Sequence, residues 1–315
     1  TGGTMAGADT TFANGGLRLG DIFLNERHLR LASGQQGRTS SFQDVNGENG
    51  ATLEVRSNAV FELENGSVLR DGLGSSPRLV NNGTVRTPGS GFTAINWQVQ
   101  NTDTVQVTGT GNLNLNGAMV GSGGTFGRAE GVYQASAGEL RFNRDSTTTF
   151  TSGSVVEGDT TVQFRSTVSA NTKYTVNGTL DARGELQVGG GDSTSVTIGS
   201  GATLQELGGE VLRVADFGQL QVNTAEESTP NLVTVGRLVL KRESRFEPST
   251  EVTVGGETFF EDFDAAFVSD EALTVQGLLR FNNGRMAGAD TTFANGGLRL
   301  GGIFLNERHL RLASG

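Results

Sequence analysis

Apolar positions in this chain come in short alternating runs. Leu17-Arg18-Leu19, Ile22-Phe23-Leu24 and Leu29-Arg30-Leu31 follow one another closely, each closed by a polar or glycine-containing break. Alternation over three to five residues predicts short strands with one face turned inward and one outward. The same grammar continues through Thr52-Leu53-Glu54-Val55, Val60-Phe61-Glu62-Leu63, Asn112-Leu113-Asn114-Leu115, Glu139-Leu140-Arg141-Phe142 and Val162-Gln163-Phe164. Further on, Leu186, Leu204, Leu220 and Leu238 recur at nearly even intervals. That spacing predicts a strand returning once per turn of a solenoid, with leucines stacked inside and Gln, Glu and Arg outside. Leu17 and Leu29, twelve positions apart, fit successive faces of one coil. Nine Asn-Gly pairs, among them Asn46-Gly47, Asn49-Gly50, Asn82-Gly83 and Asn116-Gly117, read as positive-φ corners between strands. The expected fold is an all-β, right-handed parallel β-helix of about 18 to 25 residues per coil, with residues 1–315 as one domain.

One stretch occurs twice. Residues 5–34 and 286–315 are identical except that Gly302 stands where the first copy has Asp21. The chain therefore reads as one period of a longer repeat with the opening of the next, in which any export signal lies outside the period. In a stacked solenoid the apolar strand positions of such a segment meet neighbouring turns. Leu17, Leu19, Phe23, Leu29 and Leu31, with Leu298, Leu300, Phe304, Leu310 and Leu312, are the candidate repeat-junction residues. The two copies are expected to occupy equivalent coils, and the expected partner is the chain's own kind.

Composition narrows this picture. Forty-eight glycines and abundant β-branched residues disfavour helices, and the absence of a Gly-X-Y period excludes collagen. A net charge of −10 argues against nucleic acid and anionic lipid, both of which attract basic surfaces. The absence of cysteine removes disulfides, thiol catalysis and thiolate metal sites. No apolar run approaches the roughly 20 residues a membrane-spanning helix needs, so direct membrane insertion is not expected.

The chemistry-bearing residues are sparse. Residues 257–271 are acidic and phenylalanine-rich, with Phe259, Phe260, Phe263 and Phe267 at helix-like spacing. A short helix or a bulged coil would place these phenylalanines inward under solvated acids. Alternatively, Phe259, Phe260, Asp262, Phe263, Asp264 and Phe267 would form a docking face for a partner or a cation site. Gly191-Asp192-Ser193 echoes a class of esterases, but the two histidines, His28 and His309, are one repeat position seen twice. Asp103, Asp145, Asp181 and Asp216 are scattered rather than paired, as glycoside hydrolysis would require. Gly189-Gly190-Gly191-Asp192 resembles one unit of a calcium-binding nonapeptide that must repeat to form sites. Trp97 reads as core rather than as a sugar platform. No catalytic activity, metal or cofactor is expected.

The Gly-x-Leu-x-Val units at 184–188 and 218–222, the Asn-Gly corners and the lack of cysteine resemble the β-helical shafts of large bacterial surface proteins. Autotransporter passengers and filamentous-haemagglutinin-type adhesins are the nearest families. The resemblance covers nearly the whole chain and transfers no functional residue. It implies an extracellular or cell-surface fibre, sheath or adhesin stalk that contacts its own kind and other cells, surfaces or glycans. The alternative is a carbohydrate-binding or carbohydrate-active β-helix of the tailspike or lyase kind.

Overall fold

A computed structural model describes residues 3–122, 124–143, 147–166, 171–191, 193–223, 232–262 and 264–313. Among them every regular element is a short strand, and none is a helix. The strands pair in parallel with strands one turn away, so the chain is a β-solenoid. Its packing divides into two compact units, Thr1–Arg144 with Gly153–Val156 and Asp145–Ser152 with Glu157–Gly315.

In the first unit Gly3–Ala6, Thr10–Ala13 and Leu17–Leu19 make one turn of three strands. Ile22–Asn25 then returns beside Gly3–Ala6, His28–Leu31 beside Thr10–Ala13, and Gln36–Thr39 beside Leu17–Leu19. Turn length is not constant. The turn that brings Glu139 over Asn112 is longer than the one that brings Ile22 over Gly3, because loops grow at the corners. Alternation decides which side chains go in. Leu29, Leu53, Leu79 and Val99 are register partners on four successive strands, and all are buried. Each such side chain contributes about 1.5–3 kcal/mol relative to exposure. Between them Arg30, Val80 and Gln100 face outward, less buried than their neighbours.

The second unit repeats the plan. Its turns also vary, from a short one between Leu279 and Leu298 to a longer one between Glu185 and Val211. Aromatic rings pair between turns in its core: Phe260 stacks on Phe281 with centroids 4.3 Å apart, and Phe246 meets Phe267 edge-on at 5.7 Å.

Two expectations from the sequence are corrected here. The leucine series does not mark one strand per turn. The inward ladder is Leu186, Leu212 and Leu238, each the register partner of the one before and one full turn beyond it. Leu204 instead pairs with Leu180, and Leu220 lies between Val196 and Phe246. Each step of the series advances two strands of a three-strand turn, so its three steps span two turns.

The Asn-Gly pairs are not uniformly positive-φ corners. Asn49 and Gly50 both adopt positive φ, whereas Asn46-Gly47 lies inside the Val45–Glu48 strand. At Gly83 and Gly117 the reason for glycine is proximity between turns. A Cβ there would sit 2.3 Å from the Arg56 carbonyl oxygen and 1.5 Å from that of Trp97. Corners that carry a chain onward to a parallel strand need no hairpin geometry, but they do need backbones to approach closely.

Candidate functional site

The repeated segment folds the same way twice. Its first copy has strands at Thr10–Ala13, Leu17–Leu19, Ile22–Asn25 and His28–Leu31; the second has them at Thr291–Ala294, Leu298–Leu300, Phe304–Asn306 and His309–Leu312. Internal registers agree as well, with Thr10 opposite His28 and Thr291 opposite His309. The copies are nevertheless not in phase. Counted among the described residues, Arg285–Ala287 comes thirty-seven strands after its counterpart Gly3–Ala6, which is twelve turns of three strands and one strand more. The segment therefore enters its turn one strand later, and local pattern rather than position in the turn dictates its strands.

What differs is the neighbourhood. In the first copy the following turn covers the segment: Leu17–Leu19 pairs with Gln36–Thr39, Ile22–Asn25 with Val45–Glu48, and His28–Leu31 with Thr52–Val55. Leu19, Leu24, Leu29 and Leu31 are buried there, while Leu17 is half-buried and Phe23 exposed. In the second copy the preceding turn covers it, through Ala266–Val268, Leu273–Val275 and Leu279–Phe281. Met286, Ala287, Thr292 and Ala294 are buried, whereas their counterparts Met5, Ala6, Thr11 and Ala13 are not. Leu300, Phe304, Leu305 and Leu312 are 52%, 68%, 41% and 56% exposed, and Leu298 and Leu310 are half-buried. One sequence is thus seen covered on each side in turn.

Polar groups tell the same story. Arg27 donates from Nε to Thr11 Oγ1 at 2.8 Å, and Arg308 repeats this with Thr292 at 2.8 Å. With a turn upstream, Arg308 also donates to the Ser269 carbonyl at 2.5 Å and the Glu271 carbonyl at 2.8 Å, and lies over the Phe267 ring. Burial pushes its pKa down, while Asp290 and Asp270 work against that. On the outer surface His28, Arg30 and Arg56 converge on the nearly buried Glu54, at 3.1, 2.7 and 2.9 Å. Burial alone would raise the Glu54 pKa, but the hydrogen bonds and charges of Arg56 and Arg30 outweigh it and hold the carboxyl below its ordinary value. In the second copy His309 is exposed. The single substitution sits at a contact: Asp21 Oδ1 accepts from the Asp44 amide at 3.3 Å, whereas a Cβ at Gly302 would lie 2.7 Å from Asn283 Oδ1.

The acidic phenylalanine stretch is not helical. Thr258–Phe260 and Ala266–Val268 are strands of two different ladders, and of the phenylalanines at helix-like spacing Phe260 and Phe267 are the inward positions of these consecutive strands. Phe260 and Phe267 are fully buried and unavailable to a partner. Phe259 is half-buried beneath the Arg280 guanidinium, Asp262 is half-buried, and Asp264 is exposed; Phe263 lies outside the described residues. Trp97 is buried, its Nε1 donating to the Arg70 carbonyl at 2.9 Å. Of the scattered carboxylates, Asp103 is exposed, Asp181 is paired with Arg183 at 3.2 Å and Asp216 is half-buried. Asp145 and Asp192 lie outside the described residues. Among the described residues no three or more His, Asp or Glu side chains are grouped to hold a metal ion. Sequence reasoning missed the Glu54 cluster, because its members come from two strands whose register only the turn length sets.

No protein-family model, curated protein or solved structure matches this chain.

Proposed function

We propose that this chain is a structural protein, a β-solenoid shaft that builds an extracellular or cell-surface fibre, sheath or adhesin stalk by stacking on its own kind. The observation that carries the reading is the thirty-residue segment present twice and forming the same series of strands, paired to a following turn in one copy and to a preceding turn in the second. A segment built to be sandwiched between turns suits a repeat that continues. The resemblance to autotransporter passengers and filamentous-haemagglutinin-type adhesins supports the surface location, and with it contact with other cells, surfaces or glycans. The net charge of −10 favours a shaft that stays hydrated rather than one that coats nucleic acid.

Electron microscopy and sedimentation of the purified chain over a range of concentrations test this. Filaments or head-to-tail multimers with a regular axial repeat are the expected result. A chain that remains monomeric at every concentration overturns self-stacking. The carbohydrate alternative draws no support from Trp97, whose ring is enclosed rather than presented.

A further inference from the structure

Charge is not spread evenly over the chain. Residues 28–40, 51–63 and 78–87 supply two adjoining flanks over three successive turns of the first unit. They carry Arg30, Arg38, Arg56, Arg78 and Arg86 against only Glu54 and Glu62, so these flanks are basic in a chain whose net charge is −10. Every strand there is paired on both sides, which places the arginines in the interior of their ladders. Glu54 serves Arg30 and Arg56, and Glu62 serves Arg86. Arg38 is exposed and Arg78 half-buried, and neither has a carboxylate partner among the described residues. Arg38 also lies directly opposite Arg18, and like charges one strand spacing apart repel. The surplus cations are left for an acidic partner to neutralise.

A matching surface lies in the second unit. Residues 246–279 contain no Arg, Lys or His and are rich in carboxylates. The ion pairs of this stretch draw on residues outside it: Glu247 with Arg245, Glu257 with Arg237 and Arg280, and Glu261 with Lys241. Glu251 and Glu271 are exposed and enter no ion pair among the described residues. Glu271 lines a groove of about 410 Å³ with Glu247, Asp270 and the amides of Gln221 and Asn223, and no basic side chain lines it. Carboxylate and amide oxygens are the acceptors that a guanidinium takes up. We propose that the basic flanks in the first unit of one chain dock on this acidic groove in the second unit of another chain, so that shafts associate side by side through arginine side chains. Both surfaces are built on ladders of the same strand spacing, about 4.7–4.9 Å, so successive charges on one meet successive charges on the other. Exposed pairs of this kind set orientation and weaken with salt. The contact goes beyond the end-to-end stacking proposed above and does not depend on it.

The test uses full-length chains in which only exposed or half-buried charges change. R38E/R78E inverts the basic flanks, and E251R/E271R inverts the rim of the groove. Sedimentation at low salt should show lateral multimers of the wild type that dissociate as salt is raised, and either variant alone should lower their fraction several-fold. An equimolar mixture of the two variants should recover it, because the intact groove of the first meets the intact flanks of the second. Far-ultraviolet circular dichroism and Trp97 fluorescence verify that each variant keeps the fold. Electron microscopy separates this contact from stacking: paired or bundled filaments are expected from the wild type, and single filaments of the same axial repeat from the variants. Filaments that never pair overturn the flank contact and leave the shaft reading intact, whereas lateral multimers without axial growth support the flank contact and overturn stacking. Association that ignores salt, or a mixture as weak as its components, also overturns the proposal. So does a chain that stays single and binds a sulfated polysaccharide through Arg38 and Arg78, which assigns the basic flanks to an acidic polymer instead.

Discussion

Glu54 shows how much a solenoid's outer face can depend on one side chain. It is nearly buried although its strand faces outward, because Arg30, Arg56 and His28 close over it. Replacing it by Gln keeps the shape and removes the charge, leaving two guanidinium groups without a counter-ion. At neutral pH Glu54→Gln is expected to lose about 1.5–3 kcal/mol of stability, the worth of hydrogen bonds to charged groups. The folded carboxyl titrates below its ordinary value of 4.5, so the ionised cluster favours the folded chain. Its contribution is complete above that value and is lost as pH falls through the lower folded pKa. Denaturant unfolding at a series of pH values checks this: the gap between wild type and variant should close on acidification. Gly47 is the second residue-scale case. A Cβ there would lie 2.5 Å from Pro77 Cβ and 2.7 Å from the Trp97 ring. Gly47→Ala should cost about 1–3 kcal/mol through overpacking. Trp97 is the only tryptophan, so its fluorescence reports the disturbance directly.

At the scale of elements, the turn is stitched at its corners as well as along its strands. Asn116 donates to Asn96 Oδ1 at 2.8 Å and accepts from Asn143 Nδ2 at 3.0 Å, a side-chain ladder across three turns where the strands end. Asn116→Ala removes both bonds and should cost about 1–3 kcal/mol, with hydrogen exchange accelerating first at the corners after Phe92–Ile95, Asn112–Leu115 and Glu139–Asn143. A fixed corner of this kind lets turn length vary within the first unit without loss of register. Strand existence was legible in the sequence for a simple reason: alternation at Leu29-Arg30-Leu31 or Leu186-Gln187-Val188 reports directly on which side faces the core. Phase was not legible. Leu204 and Leu220 look like the next rungs above Leu186, yet they belong to other ladders, since spacing along the chain cannot tell two strands from three.

For the whole molecule, the repeated segment offers an internal control that few proteins provide. Leu24 and Leu305 are the same repeat position, one fully buried and the other 41% exposed. Leu24→Ala should therefore cost about 2–5 kcal/mol, as core truncations do. Leu305→Ala in the isolated chain should fall within about 0.5 kcal/mol of wild type, as surface substitutions do. Thermal unfolding at low concentration measures both. Equal costs in the isolated chain would overturn the exposure of Leu305.

By itself the sequence determined the all-β class, the short parallel-stacked strands and the segment that recurs, because alternation and identity are local and need no partner to be read. It also placed Leu19, Leu29 and Leu31 in a core, since apolar residues on one face of a strand must leave water somewhere, but it chose Phe23, which is exposed, where the structure turns Leu24 inward. Only the tertiary structure decided which strands share a ladder, why glycine stands at 83 and 117, and that Phe260 and Phe267 are enclosed rather than offered. Those properties depend on which residues of one turn lie over which residues of the next. That relation is set by loop lengths and corner contacts summed around the turn, and no single stretch of the chain carries it.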